Sequence, residues 1–278
     1  MPIYRRATKT RLEAYGVSEG HNQALEEYMG TPFIPMSQME TTDEDIIIAV
    51  RWEHCAELEQ YRGRKFQFVQ GRDLDANCGD DWKAQLRNWR NNPNWKLIGV
   101  SEFCLRDWCR GTVIPNGIDA RFFKDHQVYR DYDILIEGNA EPNKGIEHAL
   151  ALAKSIPNAK IAWMGRETYP VDGVETITNP AQWMIPIVYQ KSKVMIKLSK
   201  SEGFSLPILE AFASGCAIIT HDMGGNDFCE YGKNCDTPNN LKKVLEDEWH
   251  RHKLTGHGYA TAKKFTIEKS VDKLLHIL

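Results

Sequence analysis

Short apolar runs that alternate with amphipathic helical patterns constrain the fold of this chain most. Several of the runs are continuously apolar, as in strands that helices cover on both faces. The strand-like runs are residues 31–37, 45–50, 65–70, 95–101, 112–115, 132–138, 159–165, 174–178, 193–199 and 216–220. Helical patterns lie between them, for example over residues 145–156 and 182–192. Strands interleaved with helices predict parallel βαβ units and an α/β doubly wound fold.

The length of 278 residues allows two small domains, and one polar, turn-rich stretch without clear periodicity, residues 116–132, separates two groups of strands. We therefore predict two Rossmann-like domains. The predicted parts are an N-terminal domain over 1–118, a linker over 119–131, a C-terminal domain over 132–255 and a helical tail over 256–278 that packs back toward the N-terminal domain. Ligands of open α/β sheets bind at the carboxyl ends of the strands, so two facing sheets predict a site in an interdomain cleft.

Composition narrows the class of protein. The formal net charge of −3 gives no overall sign of a polyanion partner. Seven scattered cysteines without a CxxC pair favour reduced thiols over a disulfide framework. The N-terminus lacks the apolar core of a signal peptide, and no run approaches the roughly 20 apolar residues of a membrane span. We expect a soluble cytoplasmic protein.

The segment SEGFSLPILEAFASGCAII, residues 201–219, carries the strongest functional signal. It predicts a loop that ends at Phe204, Ser205 as an N-cap, and a helix that begins at Leu206 with Pro207 in its first turn. Unsatisfied N–H groups and the positive end of the helix dipole make such a helix start an anion site. Gly203 leaves room for a phosphate to approach the backbone.

Two glutamates flank this predicted anion site. Glu210 lies roughly 7 Å along the helix axis, where its carboxylate can accept hydrogen bonds from the two neighbouring hydroxyls of a ribose. Glu202, on the loop before the helix, can bind the hydroxyls of a second sugar. Together they predict a nucleotide sugar as ligand. The alternative is a surface helix whose acids only interact with its dipole or with water.

The segment resembles the signature of retaining glycosyltransferases of family four, which have the GT-B fold. The resemblance lies in two glutamates separated by seven residues, with Gly-Phe after the first and Glu-Ala around the second. Residues 113–123, 136–150 and 222–234 are similar to further segments of that family, in the family's order. The resemblance implies transfer of a hexosyl or pentosyl group from a UDP- or GDP-linked sugar to an acceptor hydroxyl, with retention. It also implies no metal and no cofactor, the nucleotide sugar being a co-substrate.

The resemblance assigns roles by position. Lys144 would bind the donor diphosphate and Glu202 the transferred sugar, and His54 would face that sugar unless it is a solvated loop histidine. The residues implied to bind the donor are Gly138, Asn139, Lys144, Arg166, Gly203, Phe204, Ser205, Leu206 and Glu210. One position departs from the family, which usually has Arg after the glycine of the first donor-domain strand. Asn139 follows Gly138 here, so Arg166 is the candidate replacement.

The acceptor side is expected in the N-terminal half, at the ends of its strands. The candidates there are Glu53, Arg72, Asp73 and Ser101. Residues 81–96 hold four basic residues and three tryptophans, a composition that can follow phosphates and stack on bases. A helix that buries its tryptophans explains the same composition. Both a glycan and a nucleic acid, such as a hydroxymethylated DNA base, are therefore admissible acceptors.

The sequence also permits two rival functions. Asp73 and Asp75 follow an apolar strand, as the Asp-x-Asp of metal-dependent GT-A glycosyltransferases does. Alternatively, the chain is a sugar- or nucleic-acid-binding module of GT-B type without turnover, and Asn139 in place of arginine favours that interpretation. The intact glutamate pair and Lys144 oppose it.

Overall fold

The computed structural model describes residues 3–5, 41–75, 78–122, 129–230 and 232–278. The chain divides into two compact units, one of Met1–Pro115 with Ser270–Leu278 and one of Asn116–Lys269. The first unit therefore ends at Pro115 in this part of the chain, whereas we predicted that the N-terminal domain ends at residue 118. The predicted tail over 256–278 is shared between the units, because only its last part, from Ser270, belongs to the first.

The first unit is built on a five-stranded parallel sheet with the order β1-β2-β3-β4-β5. Its strands are β1 Ile3–Arg5, β2 Ile46–Ala49, β3 Arg64–Val69, β4 Trp95–Gly99 and β5 Thr112–Val113. Its helices are α1 Cys55–Leu58, α2 Asp80–Asn91 and α3 Glu102–Leu105. Four of the predicted strands correspond to β2–β5, and the run at 31–37 lies outside the described residues.

Both faces of this sheet are covered, as continuously apolar strands require. Along β2, Ile46 and Ile48 pack in one cluster, to which helix α9 (Ile267–Ile277) contributes Leu274. Ile47, between them, points to the opposite face and packs with Trp95 in a second cluster. The alternation of side chains along a strand thus explains why an uninterrupted Ile-Ile-Ile run is a buried strand.

The second unit has a five-stranded parallel sheet with the order β10-β9-β6-β7-β8. Its strands are β6 Tyr132–Glu137, β7 Ile161–Gly165, β8 Val174–Thr178, β9 Ser192–Lys197 and β10 Ala217–Thr220. Its helices are α4 Ile146–Lys154, α5 Ile185–Gln190, α6 Leu206–Ala213, α7 Pro238–Glu246 and α8 Glu248–Ala262. All five strands were predicted.

The strand order places the site of the second unit. From β6 the chain builds outward through β7 and β8 on one side, then returns to place β9 and β10 on the other side. The carboxyl ends of β6 and β9 therefore lie at a topological switch point, where open α/β sheets bind ligands. The loop that contains Lys144 follows β6, and the loop that contains Glu202 follows β9.

Helix α8 contains two glycines in different surroundings. A Cβ on Gly258 would lie 2.3 Å from the ring of Phe212 in α6, whereas a Cβ on Gly256 meets nothing within 4 Å. We expect Gly258→Ala to lower the free energy of unfolding by about 1–3 kcal/mol through overpacking. Gly256→Ala should raise it by up to about 1 kcal/mol, because alanine is the better helix former. Denaturant unfolding of both variants measures this, and a change of the same sign in both would contradict it.

No helix in the described part of the chain combines the length and the apolar character of a membrane span.

Candidate functional site

The loops after β6 and β9 are fixed to each other by backbone contacts. The N–H of Lys200 donates to the carbonyl of Asn143 at 2.8 Å. Gly145 has a left-handed backbone with φ 64°, and a Cβ there would lie 1.9 Å from the carbonyl oxygen of Leu198. Only glycine fits such a close approach. The short helical turn Pro142–Lys144, which ends just before Gly145, is thereby held at the end of β9.

This contact brings together Lys144 and Glu202, two of the three residues predicted to be catalytic, the third being His54 of the first unit, and two charged residues that we did not predict. Lys144 Nζ lies 3.0 Å from Glu202 Oε1, and Lys197 Nζ lies 3.4 Å from the same oxygen. Lys197 Nζ also lies 2.5 Å from Glu137 Oε2. The four side chains form a continuous network of alternating charge, Lys144–Glu202–Lys197–Glu137.

Burial makes this network electrostatically strong. The side chain of Lys197 is 2% exposed, and those of Glu202 and Glu137 are 16% and 18% exposed. Burial alone would raise the pKa of Glu202, but the ammonium groups of Lys197 and Lys144 bring it down to about 2. Burial alone would lower the pKa of Lys197, but Glu137 and Glu202 raise it above its ordinary value. Both groups are therefore charged at neutral pH.

The sequence contains a signal for the two residues that we missed. Glu137 and Lys197 are the last residues of β6 and β9, strands that are otherwise mostly apolar. The register pairs Ile136 with Ile196, which places Glu137 beside Lys197. Charged residues are seldom fully buried without a partner, so a lysine at the end of a buried strand predicts an acid on a neighbouring strand.

The Glu202 backbone is held by the loop that follows β10. Its N–H donates to the carbonyl of Met223 and its own carbonyl accepts from the N–H of Gly225, both at 2.9 Å. A Cβ on Gly225 would lie 2.1 Å from the carbonyl oxygen of Gly203. The buried Asn226 side chain supports this loop by accepting from the N–H of Met223 at 3.0 Å. The resemblance pointed to residues 222–234, and the structure shows that this loop positions Glu202.

Helix α6 begins at Leu206 as predicted, but Ser205 does not cap it with its side chain. The hydroxyl of Ser205 is fully buried and has no hydrogen-bond partner within the described residues. The predicted capping role is therefore wrong. The backbone explains the difference, because Ser205 has φ −83° and ψ 85° instead of the extended conformation of a capping residue, and Pro207, the second residue of the helix, has no N–H. A buried hydroxyl without a partner carries a free-energy cost that a bound ligand can remove.

Glu210 lies in the second turn of α6 and is 9% exposed. The Tyr189 hydroxyl of α5 donates to Glu210 Oε2 at 3.3 Å. Burial, followed by the negative charges of Glu210 and Glu137, raises the pKa of Tyr189 well above its ordinary value. Tyr189 therefore stays protonated and orients the Glu210 carboxylate as a hydrogen-bond donor.

The other predicted donor residues lie near the carboxyl ends of β6 and β7 and near the start of α6. Asn139, in the position of the missing arginine, accepts from the N–H of Arg166 at 2.8 Å and donates to Glu141 at 3.2 Å. It ties the loop after β6 to the end of β7, and the Arg166 side chain is exposed. Gly138 has a positive φ of 147° at the end of β6. Phe204 packs against Phe228 and Phe265, with ring centroids 5.0 and 5.8 Å away.

The predicted acceptor residues follow β2, β3 and β4 of the first sheet, and each has a partner within the first unit. Glu53 pairs with Arg51 at 2.6 Å, in the turn that also contains His54. Burial alone would raise the pKa of Glu53, but Arg51 lowers it below its ordinary value. The four candidates follow the carboxyl ends of three strands of this sheet, and their partners were not predicted.

The remaining acceptor candidates are likewise engaged within the first unit. Arg72 pairs with Asp107 at 3.0 Å, and Asp73 pairs with the buried Arg90 at 2.5 Å. Ser101 accepts from the N–H of Cys104 and so caps α3. These contacts give each residue a role in the stability of the unit.

The tryptophans of residues 81–96 pack within the first unit. Trp82 meets Trp52 edge-to-face with ring centroids 5.1 Å apart. Trp95 is fully buried and its indole N–H donates to Glu59 at 2.6 Å, while Trp89 packs on the apolar cluster around Ile47. Trp82 and Trp89 of α2 are thus half-buried, and the buried Trp95 belongs to β4. Each has a packing partner within the first unit, and this arrangement gives no support to a base-stacking surface.

The second unit is similar in sequence to known glycosyltransferases. Residues 119–230 match the model of the family "Glycosyl transferases group 1". Sulfoquinovosyl transferase SQD2 of Arabidopsis thaliana is 29% identical over 131 residues, which are 39% of this chain and 25% of that protein. The chain thus spans about a quarter of the length of the curated relative that it matches.

Solved structures of glycosyltransferases share the fold. Sucrose-phosphate synthase from Thermosynechococcus elongatus aligns with 98% of this chain and 79% of its own, with a TM-score of 0.73 and 17% identity. HepE of Anabaena, solved in complex with UDP and glucose, aligns with 84% of this chain and 78% of its own, with a TM-score of 0.69 and 15% identity. The GT-A alternative, with Asp73 and Asp75 as metal ligands, is wrong because the chain has the GT-B fold. Residues 119–230 of the second unit are thus similar to group 1 glycosyl transferases, within a chain whose α/β fold is that of the GT-B glycosyltransferases.

Proposed function

We propose that this protein transfers a sugar from a UDP- or GDP-linked donor to an acceptor hydroxyl, with retention of configuration. The observation that supports this most is the contact of Lys144 with Glu202 at the switch point of the second sheet. A cation and a carboxylate at this place suit a ligand that carries a diphosphate next to a sugar. The glucose and UDP that HepE binds have this chemistry.

In the proposed mechanism, Lys144 moves from Glu202 to the diphosphate and stabilises the negative charge that grows as the glycosidic bond breaks. The start of α6 contributes the positive end of its dipole and the buried Ser205 hydroxyl. Glu202 then binds hydroxyls of the transferred sugar, and Glu210 those of the ribose. The acceptor attacks from the face that the diphosphate leaves, and its proton passes to a departing phosphate oxygen. Lys144 and the dipole of α6 supply the positive charge, so we propose that turnover needs no metal and no cofactor.

For the acceptor we propose a glycan or small-molecule hydroxyl rather than a nucleic acid, because the tryptophans of residues 81–96 are used in packing. The rival function, a binding module without turnover, is tested by incubation with UDP-glucose and GDP-mannose. Release of UDP or GDP, with or without an acceptor, supports an enzyme. Binding without any release over long incubation supports the module.

Donor binding is tested by calorimetry with UDP, GDP and inorganic pyrophosphate. We expect Glu210→Ala to weaken UDP or GDP binding about 10- to 100-fold, the effect of losing charge-assisted hydrogen bonds to the ribose. Pyrophosphate affinity should stay within about twofold, because pyrophosphate has no ribose. Glu246→Ala, which removes an exposed acid of α7, is the control. Absence of nucleotide binding by the unaltered protein would overturn the proposed function, and equal losses for UDP and pyrophosphate would overturn the role of Glu210.

A further inference from the structure

The Glu202 carboxylate contacts two lysines that differ in how far they can move. Lys144 lies in a short turn between β6 and α4, and its side chain is 22% exposed. Lys197 belongs to β9, which pairs with β10 on one side and β6 on the other, and the Thr220 hydroxyl also donates to its carbonyl at 2.7 Å. The Lys197 ammonium is held at the same time by Glu137. One cation of the pair is therefore movable and the other is fixed.

This difference matters once an anionic ligand competes for Lys144. If Lys144 left Glu202 and no other cation were nearby, the negative charge of a largely buried carboxylate would have no positive partner. Glu202 would then either take up a proton or hold Lys144 back from the ligand. Lys197, 3.4 Å from Glu202 Oε1, prevents both outcomes.

We propose that Lys197 is a positioning residue, a fixed counter-cation that keeps Glu202 ionised and in place when Lys144 leaves it for an anionic donor. The exchange of Lys144 rests on the proposed function, but the effect of Lys197 on Glu202 does not. Because Glu137 neutralises Lys197 in turn, the buried end of the network stays charge-balanced. The Lys144 ammonium can then leave Glu202 and bind an anionic ligand.

Other titratable groups lie near the network. The His221 ring lies 2.9 Å from the Ser199 carbonyl and 3.6 Å from Asp236. Tyr189 interacts with both Glu137 and Glu210. Within the described residues, Lys144 and Lys197 are the cations whose charge lowers the pKa of Glu202.

The same two strands provide a matched control. Asp133 and Lys193 form a second cross-strand pair between β6 and β9, at 2.7 Å, near the opposite end of the strands. The double variant E137Q/K197M removes the pair beside Glu202, and D133N/K193M removes the distant pair. Both changes eliminate one acid and one lysine from the same strands, so they separate an effect on Glu202 from a general effect on the sheet. K197Q, which keeps an N–H donor without the charge, replaces E137Q/K197M if that protein does not fold.

The first experiment needs no ligand. Each double variant is combined with K144M, which imitates the departure of Lys144, and the Glu202 carboxyl carbon is titrated by NMR with ¹³C-labelled glutamate. E202Q identifies the signal. In K144M and in K144M with D133N/K193M, the pKa of Glu202 should stay below about 4.5, and in K144M with E137Q/K197M it should rise to about 6.5. Equal pKa values in all three proteins would overturn the proposal.

The second experiment measures UDP binding from pH 5.5 to 7.5 in the two double variants with Lys144 present. Titration of UDP itself is common to both, so it cancels in the comparison. Relative to D133N/K193M, the affinity of E137Q/K197M should fall about tenfold as the pH rises, because its Glu202 must take up a proton when Lys144 leaves. If UDP affinity changed with pH in the same way in both double variants, the proposed movement of Lys144 from Glu202 to the donor would be wrong. If the unaltered protein binds no UDP, the proposed function fails, while the NMR titration still decides the role of Lys197.

Discussion

Replacing Lys144 with alanine should lower kcat for sugar transfer about 100- to 1000-fold, the usual effect of removing one preorganised group that stabilises transition-state charge. Lys144 is the movable cation of the charged network, with its ammonium 3.0 Å from Glu202. In the proposed mechanism it stabilises the departing diphosphate. The loss should therefore fall mainly on kcat, while the affinity for UDP changes less, because charge on the diphosphate grows as the bond breaks.

The control for this measurement is Lys200→Ala. Lys200 is an exposed lysine on the loop after β9, so this change removes one positive charge from the same loop region. Its effect on kcat should be within about threefold, the scale of a screened surface charge. A loss below about tenfold for Lys144→Ala would contradict the assigned role. Equal losses for the two lysines would show that only the general positive charge of the region matters.

The sequence was sufficient for those parts of the fold that depend on local pattern. All five strands of the second unit were predicted, because each is a short run of mostly apolar or β-branched residues, as at Ala217–Thr220, which follows Gly215. The start of α6 was likewise predicted to the residue, since Pro207 is compatible only with the first turn of a helix. Strand β1 was not predicted, because a three-residue strand has too few positions to show alternation.

The parts of the site that depend on pairing between distant segments could not be predicted. Lys144 and Glu202 are 58 positions apart, and only the strand order brings their loops together. Glu137 and Lys197 were missed because each was assigned separately to an apolar run, whereas their contact depends on the register of β6 and β9. The Ser205 prediction failed because capping preference is a local rule that assumes an extended backbone, whereas Ser205 has φ −83° and ψ 85°.

Gly145→Ala should lower the free energy of unfolding by about 3–5 kcal/mol, the range of severe single substitutions. An alanine Cβ would lie 1.9 Å from the Leu198 carbonyl oxygen and 2.8 Å from its carbon, and both are backbone atoms that no rotamer change can move. The left-handed backbone at φ 64° adds about 1–2 kcal/mol of strain for a residue with a Cβ. Denaturant unfolding monitored by circular dichroism gives the difference.

Gly173→Ala separates these two causes. Gly173 also has a left-handed backbone, with φ 75°, but a Cβ there meets nothing within 4 Å. In Gly173→Ala the free energy of unfolding should therefore fall only by the cost of this strain, about 1–2 kcal/mol. Sugar transfer should stay unchanged. Gly145→Ala should in addition reduce transfer in the fraction that stays folded, because relief of the clash moves the turn that carries Lys144 away from the end of β9. Equal losses of stability in the two variants would mean that the backbone conformation alone requires glycine, and that the contact with Leu198 does not hold Lys144 beside Glu202.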